Sequence, residues 1–175
     1  DHIQFLVEKY KATYIYFIDD DSFISLKYVE SIIDEINRRG IDVRLGFRGA
    51  RINEIKKMSH EFIDKLVSAG TDIMHVGVES GSNKMLELIR KDCNVDDIIE
   101  CITKLSKHKD LKIFCNFIVG LPSETYDDLK KTAELMIKIT KIHKNAIIGA
   151  PNKFRPLPGT ELFEVANQKW SYNGP

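Results

Sequence analysis

Short β-rich segments and amphipathic segments alternate along almost the whole of this 175-residue chain. The alternation predicts strands at 14–18, 42–47, 71–78, 111–119 and 146–150. Helices are predicted at 25–39, from Ser59 to Gly70, after Ser82, after Asn94, at 125–143 and at 161–166. Because strand–helix units in series form parallel sheets with right-handed crossovers, the chain is predicted to be an α/β domain. The repeat alone is compatible with a doubly wound open sheet and with a partial barrel.

The longest predicted helix, at 125–143, carries apolar residues at helical spacing. Leu129, Ala133, Met136 and Ile137 are expected to form its buried face.

Charge and hydropathy exclude some classes of function. The chain has 26 Lys and Arg against 26 Asp and Glu, so its formal net charge of +0 gives no general attraction to nucleic acid or membranes. No apolar run approaches the roughly 20 residues of a membrane span. The chain opens on Asp1 rather than Met, and we expect residues 1–175 to form a single domain that is a fragment of a longer polypeptide.

Three cysteines, Cys93, Cys101 and Cys115, lie far apart in the sequence. An odd number at wide spacing predicts no disulfide framework and favours a reducing, cytoplasmic compartment. Their spacing also differs from that of a zinc or iron–sulfur site. Cys101 and Cys115 are flanked by apolar residues, and we expect both in the core.

Polar residues follow the predicted strands at the edge where parallel α/β folds gather their chemistry. Asp19, Asp20 and Asp21 come after the first strand and can bind a metal, accept hydrogen bonds or cap the next helix. Gly77-Val78-Glu79-Ser80-Gly81-Ser82 ends the third strand. Glu79 is placed to accept from hydroxyl or ammonium groups, and Gly81 permits a backbone conformation that other residues avoid.

Two further loops follow the fourth and fifth strands. Gly120-Leu121-Pro122-Ser123 lets the backbone approach a flat ligand at Gly120, and the segment from Pro156 to Glu161 forms a rigid turn into a helix. Residues two apart share a strand face, so His75 and Asn116 are expected deeper in any lumen that Glu79 faces, although a buried structural histidine is the simpler interpretation. The sequence contains no Gly-x-x-x-x-Gly-Lys-Ser loop and no Gly-x-Gly-x-x-Gly motif.

Taken together, five segments in this order resemble the radical S-adenosylmethionine (SAM) superfamily. The segments are Ile-Asp-Asp-Asp-Ser-Phe (18–23), Arg-Ile-Asn-Glu-Ile (51–55), Gly-Val-Glu-Ser-Gly-Ser (77–82), Asn-Phe-Ile-Val-Gly-Leu-Pro-Ser-Glu-Thr (116–125) and Arg-Pro-Leu-Pro-Gly-Thr-Glu-Leu (155–162). The resemblance is greatest to the branch that often carries a cobalamin-binding domain, and it extends to methylthiotransferase-like enzymes. It implies a partial, TIM-like (β/α)6 barrel, with the first strand and the cluster-binding loop upstream of Asp1.

The resemblance also implies roles for individual residues. Glu79, Ser80 and Gly81 match a segment that contacts the methionyl or ribose part of SAM. Ile118, Gly120 and Leu121 match one that packs on adenine and hydrogen-bonds its edge. The remaining matches are Asp20, Asp21 and Arg51, which face cofactor or substrate, and Pro156 and Pro158, which close the adenine side.

The implied cofactors are SAM, a 4Fe–4S cluster whose ligands lie outside this chain, and cobalamin through a separate domain. A flavodoxin or ferredoxin would act as reductant. The Cys-x-x-x-Cys-x-x-Cys motif of the superfamily is absent from this sequence, so we expect the chain alone to be inactive. Asn116 and Ser123 stand where the superfamily usually has glycine. Two alternatives stay open: a Mg²⁺ enzyme that uses the carboxylates of 19–21 and Glu79, and a non-catalytic scaffold.

Overall fold

The structure, a computed structural model, describes residues 1–170. The first half consists of α1 (His2–Tyr10), β1 (Tyr14–Phe17), α2 (Leu26–Arg38), β2 (Arg44–Arg51), α3 (Ile52–Lys57), α4 (His60–Ser68) and β3 (Thr71–Glu79). The second half consists of α5 (Asn83–Leu88), α6 (Val95–Leu105), β4 (Lys112–Val119), α7 (Tyr126–Ile142), β5 (Ala146–Ile148), β6 (Asn152–Lys153) and α8 (Glu161–Trp170). Every predicted element is present, whereas the short elements α3 and β6 were not predicted. Within the described part of the chain, no helix is long and apolar enough to cross a membrane.

The strands form a parallel sheet in the order β1-β2-β3-β4-β5, and β6 pairs with the end of β4. In a doubly wound sheet the strand order reverses at a switch point, whereas here it follows the sequence without reversal. Winding in one direction is typical of a barrel wall. The predicted fold class, a parallel α/β sheet of the partial-barrel type, is therefore confirmed.

Side-chain caps fix where the helices begin. The hydroxyl oxygens of Ser25 and Ser59 accept from the backbone N–H groups of Tyr28 and Phe62 at the starts of α2 and α4. Asn94 and Asp97 form a capping box at the start of α6. Such caps satisfy backbone donors that have no partner inside the helix, and each contributes about 1 kcal/mol. The starts of α2, α4 and α6 are therefore fixed by side chains of the residues that precede them.

The core lies between the sheet and the helices that cover its outer face. Met74, Val76 and Val78 of β3 point into it and are fully buried. Cys101 and Cys115 are also fully buried, as predicted, and burial raises the pKa of each thiol to about 12. Thiols that stay protonated in an apolar core act as packing groups rather than as ligands.

The predicted buried face of α7 is wrong. The side chains that point inward are those of Asp128, Thr132, Leu135 and Ile139, whereas Ala133 is exposed and Ile137 is 55% exposed. Leu129 is also exposed, and Met136 lies at the border between the two faces. The helix is rotated because two of its polar residues have partners in the loop that follows β3. Local apolar spacing contains no information about that contact.

Candidate functional site

Glu79 occupies an unusual backbone conformation at the carboxyl end of β3. Its φ is 69°, and the N–H of Ser80 donates to the carbonyl of Val78 at 2.9 Å across it. A three-residue turn with positive φ at its centre is rare, and a non-glycine residue in such a region costs about 1–3 kcal/mol. The surrounding structure therefore holds this carboxylate in place against a local preference.

The carboxylate of Glu79 forms an ion pair that Gly77 makes possible. Glu79 Oε1 accepts from Lys91 Nζ at 2.9 Å, and both side chains are mostly buried. A Cβ on Gly77 would lie 2.6 Å from Glu79 Oε1 and 2.9 Å from Lys91 Nζ. Gly77 thus leaves room for the pair above the strand. Lys91 was not predicted, because it is distant in sequence from the strand-end motifs.

The loop that carries Ser80 and Gly81 is fastened to α7. Gly81 N–H donates to Thr132 Oγ1 at 3.0 Å, and the hydroxyl oxygens of Ser80 and Thr132 are 3.2 Å apart. A Cβ on Gly81 would lie 2.3 Å from the carbonyl oxygen of Lys131. Gly81 is therefore required for close packing; the expectation of an unusual backbone there was wrong, since the positive φ belongs to Glu79. The hydroxyl of Ser80 is fully buried against Thr132 of α7.

Asp128, which the sequence did not single out, joins two of the strand-end loops. It accepts from Ser82 Oγ at 2.6 Å and from the N–H and hydroxyl of Thr125 at 3.0 and 2.7 Å. These hydrogen bonds hold the pKa of its carboxyl well below the usual range. The loops after β3 and β4 are thus held together by one buried carboxylate. Thr125 and Asp128 at capping-box spacing were the available signal.

The acidic loop after β1 lies against β2. Arg51 Nε is 3.3 Å from Asp21 Oδ2, which joins the ends of β1 and β2. The backbone of Asp20 packs on Gly49, whose φ is 75°. Asp19 is exposed. Among residues 1–170 no group of three or more His, Cys, Asp or Glu side chains is arranged to hold a metal ion.

The Mg²⁺ alternative is therefore not supported. It requires the carboxylates of residues 19–21 and Glu79 to converge on one ion. Instead Asp21 is paired with Arg51, and Glu79 is paired with Lys91. A cation already stands beside each of these two carboxylates, and among residues 1–170 they do not converge with a third ligand on one site.

Two cavities open at the carboxyl edge of the sheet. The rim cavity, of about 360 Å³, lies between the ends of β3 and β4 and α8. It is lined by Arg51, Ile52, Asn53, Glu79, Ile89, Arg90, Lys91, Asp92, Ile118, Leu121, Phe154 and Leu162. The lumen cavity, of about 410 Å³, lies on the inner face of β2, β3 and β4. It is lined by Asp20, Arg48, Gly49, Ala50, Arg51, His75, Gly77, Glu79, Lys91, Asn116 and Asn152. Arg51, Glu79 and Lys91 line both.

His75 and Asn116 both line the lumen cavity with Glu79, as the parity of the strands predicted. The ring of His75 stacks on Phe114 at 4.7 Å between centroids and meets the edge of Tyr16 at 5.5 Å. Burial, with a smaller contribution from the positive charge of Arg48, lowers the pKa of His75. An uncharged imidazole can both donate and accept a hydrogen bond in the cavity.

The residues predicted on the adenine side are divided between cavity and surface. Ile118 and Leu121 line the rim cavity, and Phe154 completes its wall through the pairing of β6 with β4. The N–H of Gly120 donates to Glu124 Oε2 at 2.6 Å. Ser123, which replaces a usual glycine, has a φ of 60°, a region that glycine adopts without strain.

The two predicted prolines are placed differently. Pro156 is buried and lines a third cavity, of about 340 Å³, beside the rim cavity. Pro158 is exposed and lines none of these three cavities.

Comparison with known proteins identifies the family of this chain. The family model of the Radical SAM superfamily matches residues 1–136, which include the ends of β1, β2, β3 and β4. This chain belongs to the radical SAM superfamily. The matched region contains Asp20, Arg51, Glu79 and Gly120, so most of the candidate site lies inside the shared domain.

The individual relatives of this radical SAM chain share about a quarter to a third of its residues over the matched segments. It is 32% identical over 96 residues to the tRNA-2-methylthio-N(6)-dimethylallyladenosine synthase of Ehrlichia ruminantium, covering 54% of this chain and 20% of that one. It is 25% identical over 166 residues to an uncharacterised methyltransferase of Pyrococcus horikoshii, covering 95% and 34%. The chain thus spans about a fifth to a third of these relatives' length.

Solved structures show the same fold. The cobalamin-dependent SAM radical enzyme OxsB, with aqua-cobalamin and SAM bound, superimposes with a TM-score of 0.76 at 16% identity. The match covers 98% of this radical SAM chain and 30% of OxsB. At this level of identity, the likeness extends to the fold alone.

Proposed function

We propose that this chain is the SAM-binding part of a radical SAM enzyme core. The observation that carries the proposal is the Glu79–Lys91 pair, held at the junction of two cavities where the strands end. A carboxylate in a strained turn, with a glycine beneath it and apolar residues beside it, suits a nucleoside-sized ligand that carries hydroxyl and ammonium groups. Chain 1–175 would be one core unit that supplies strands two to six of the partial barrel.

The rim cavity fits the adenosine part of SAM. Ile118, Leu121 and Phe154 supply apolar walls for the base, and Glu79 supplies an acceptor for ribose or amine groups. The N–H of Gly120 is already bonded to Glu124, so we assign Gly120 a role through its open backbone surface. A Cβ added at Gly120 would meet no neighbouring atom within 4 Å, which leaves that surface free for a flat ligand.

The other predicted contacts would act in three ways. Ser80 and Gly81 position Glu79 through their bonds to α7 rather than by side-chain contact. Asp20 and Arg51 line the lumen cavity and form the wall between cofactor and substrate, and Asp21 holds Arg51 through its ion pair. Pro156 supports the adenine side through the neighbouring cavity, and Pro158 stiffens the same turn.

A 4Fe–4S cluster, when bound, would supply one electron to SAM, and cleavage of SAM would give methionine and a 5′-deoxyadenosyl radical. We propose that the ligands of the cluster lie outside this chain. Cys101 and Cys115 are buried in the core with raised thiol pKa values, and Cys93 is separated from both in sequence. The residues of this chain bind, orient and enclose SAM, which is the protein's share of such chemistry.

We also propose that the whole protein is cytoplasmic, receives electrons from a flavodoxin or ferredoxin, and acts on a substrate other than SAM. Cobalamin use is part of this proposal, supported by the fold that the chain shares with cobalamin-dependent OxsB. Methylthio or methyl transfer and oxidoreduction are the reaction types that the relatives and the resemblance favour.

The test is anaerobic reconstitution of the full-length protein with iron and sulfide, followed by reduction in the presence of SAM. We expect a brown protein that forms 5′-deoxyadenosine. A colourless protein that turns over with Mg²⁺ alone, or a reconstituted cluster that yields no 5′-deoxyadenosine, would contradict the proposal.

Glu79→Gln tests the site itself. Losing a charged hydrogen-bond acceptor should raise the SAM dissociation constant about tenfold, as measured by calorimetry. Glu100→Gln, on the exposed face of α6, is the matched control and should bind SAM normally. An unchanged dissociation constant in Glu79→Gln would remove Glu79 from the site.

A further inference from the structure

A bulge in β2 turns two arginines toward the same cavity. Phe47 pairs with Met74 and Ala50 pairs with Val76, so three steps along β2 match two steps along β3. The extra residue falls at Arg48–Gly49, where Gly49 has a φ of 75°. In a regular strand, residues 48 and 51 would face opposite sides. Because of the bulge, Arg48 and Arg51 both line the lumen cavity.

The two arginines differ in what they contact. Arg51 is paired with Asp21, whereas Arg48 forms no ion pair or hydrogen bond with any residue in the range 1–170. Its charge nevertheless acts within the lumen: burial lowers the pKa of His75 and Arg48 adds to that lowering, whereas burial raises the pKa of Tyr16 and Arg48 opposes that rise. Arg48 is therefore a cation that faces the cavity without a protein partner.

The other polar groups of the lumen cavity leave this charge uncompensated at close range. Glu79 is paired with Lys91, and Asp20, the remaining carboxylate of the wall, forms no ion pair with Arg48. The side-chain amides of Asn116 and Asn152 line the same space, and neither is hydrogen-bonded to a residue that the structure describes. One cation and two amides are thus available to a ligand.

We propose that the lumen cavity binds a small substrate through a carboxylate or phosphate group held by Arg48, while Asn116 and Asn152 hydrogen-bond its polar part. A guanidinium presents several donors in a planar fork, which matches the oxygen atoms of either group. The volume of about 410 Å³ suits a small molecule. This inference rests on the proposed function, because it assigns the rim cavity to SAM.

The experiment uses size-matched probes on the full-length reconstituted protein with saturating SAM. Phenyl phosphate, benzoate and uncharged benzamide are each titrated by anaerobic calorimetry. We expect the two anions to bind more tightly than benzamide, and the tighter anion identifies the acidic group of the substrate. Arg48→Gln should weaken anion binding about tenfold and leave benzamide unchanged. Arg48→Lys should retain part of the affinity.

Arg44→Gln is the matched control, since Arg44 lies on the same strand at its amino end and is exposed. It should bind all three probes like the parent protein. Equal binding of anions by Arg48→Gln, tighter binding of benzamide than of the anions, or no binding of either anion would overturn the inference. So would a raised SAM dissociation constant in Arg48→Gln, which would assign Arg48 to the cofactor. If Glu79→Gln does not weaken SAM binding, that result contradicts the proposed function and does not test the role of Arg48.

Discussion

The two faces of β3 differ in burial and in polarity. On the helix side, Met74, Val76 and Val78 are fully buried aliphatic residues. On the lumen side, His75, Gly77 and Glu79 are only partly buried, and each lines the lumen cavity. The first set has no polar atom to offer a ligand, and the second set contributes little apolar burial. Stability and ligand binding should therefore separate by residue parity along this strand.

Met74→Ala should have the largest effect, and it should affect stability. Removing a fully buried methionine side chain leaves a cavity and costs about 2–5 kcal/mol of the free energy of unfolding. Denaturant unfolding measures this loss. At a temperature where the variant stays folded, its SAM dissociation constant should match that of the parent protein. Weaker SAM binding with unchanged stability would break the separation of the two faces.

Gly77→Ala should act on binding instead. The new methyl group would meet the ends of the Glu79 and Lys91 side chains, which are flexible enough to move aside. We expect the SAM dissociation constant to rise about tenfold, with a change in Tm of less than about 2 °C.

A double-mutant cycle sharpens this test. If Gly77 acts through Glu79, then Gly77→Ala combined with Glu79→Gln should bind SAM no more weakly than Glu79→Gln alone. Additive losses would show that Gly77 serves the ligand in another way.

The smallest effect concerns pH and His75. Its pKa is lowered in the folded state, as is that of His143, because burial disfavours the charged imidazolium. The unfolded chain therefore binds more protons than the folded one, and stability is lost as the pH falls below about 6.5. His75 should account for less than about 1 kcal/mol of this loss in the free energy of unfolding, because its ring is partly solvated. Thermal unfolding at pH 7.5 and 5.5 measures this effect. The fall in Tm between the two pH values should be smaller in His75→Phe, in which a ring still stacks on Phe114, than in the parent protein. An unchanged pH slope would contradict this assignment.

The sequence predicted much of this fold because its strand and helix signals are local. Ser25, Ser59, Asn94 and Thr125 cap the predicted helices, and strand parity placed His75 and Asn116 in one cavity with Glu79.

What the sequence did not reveal depends on long-range contacts. Asp128 and Thr132 turn α7 away from its apolar stripe because their partners lie near residues 80–82, about fifty positions earlier in the chain. Lys91 reaches Glu79 from beyond α5. The bulge at Gly49 is visible only once β2 and β3 are paired. None of these contacts leaves a periodic pattern in the residues on either side.

The wall that the rim and lumen cavities share has a thermodynamic consequence. Arg51, Glu79 and Lys91 contribute to both spaces, so a ligand that shifts the Glu79–Lys91 pair in one cavity reshapes the other. Two ligands that touch the same side chains do not bind independently, and linkage requires that each alters the affinity of the other by the same factor. The total binding free energy of cofactor and substrate would then be the same whichever of the two binds first.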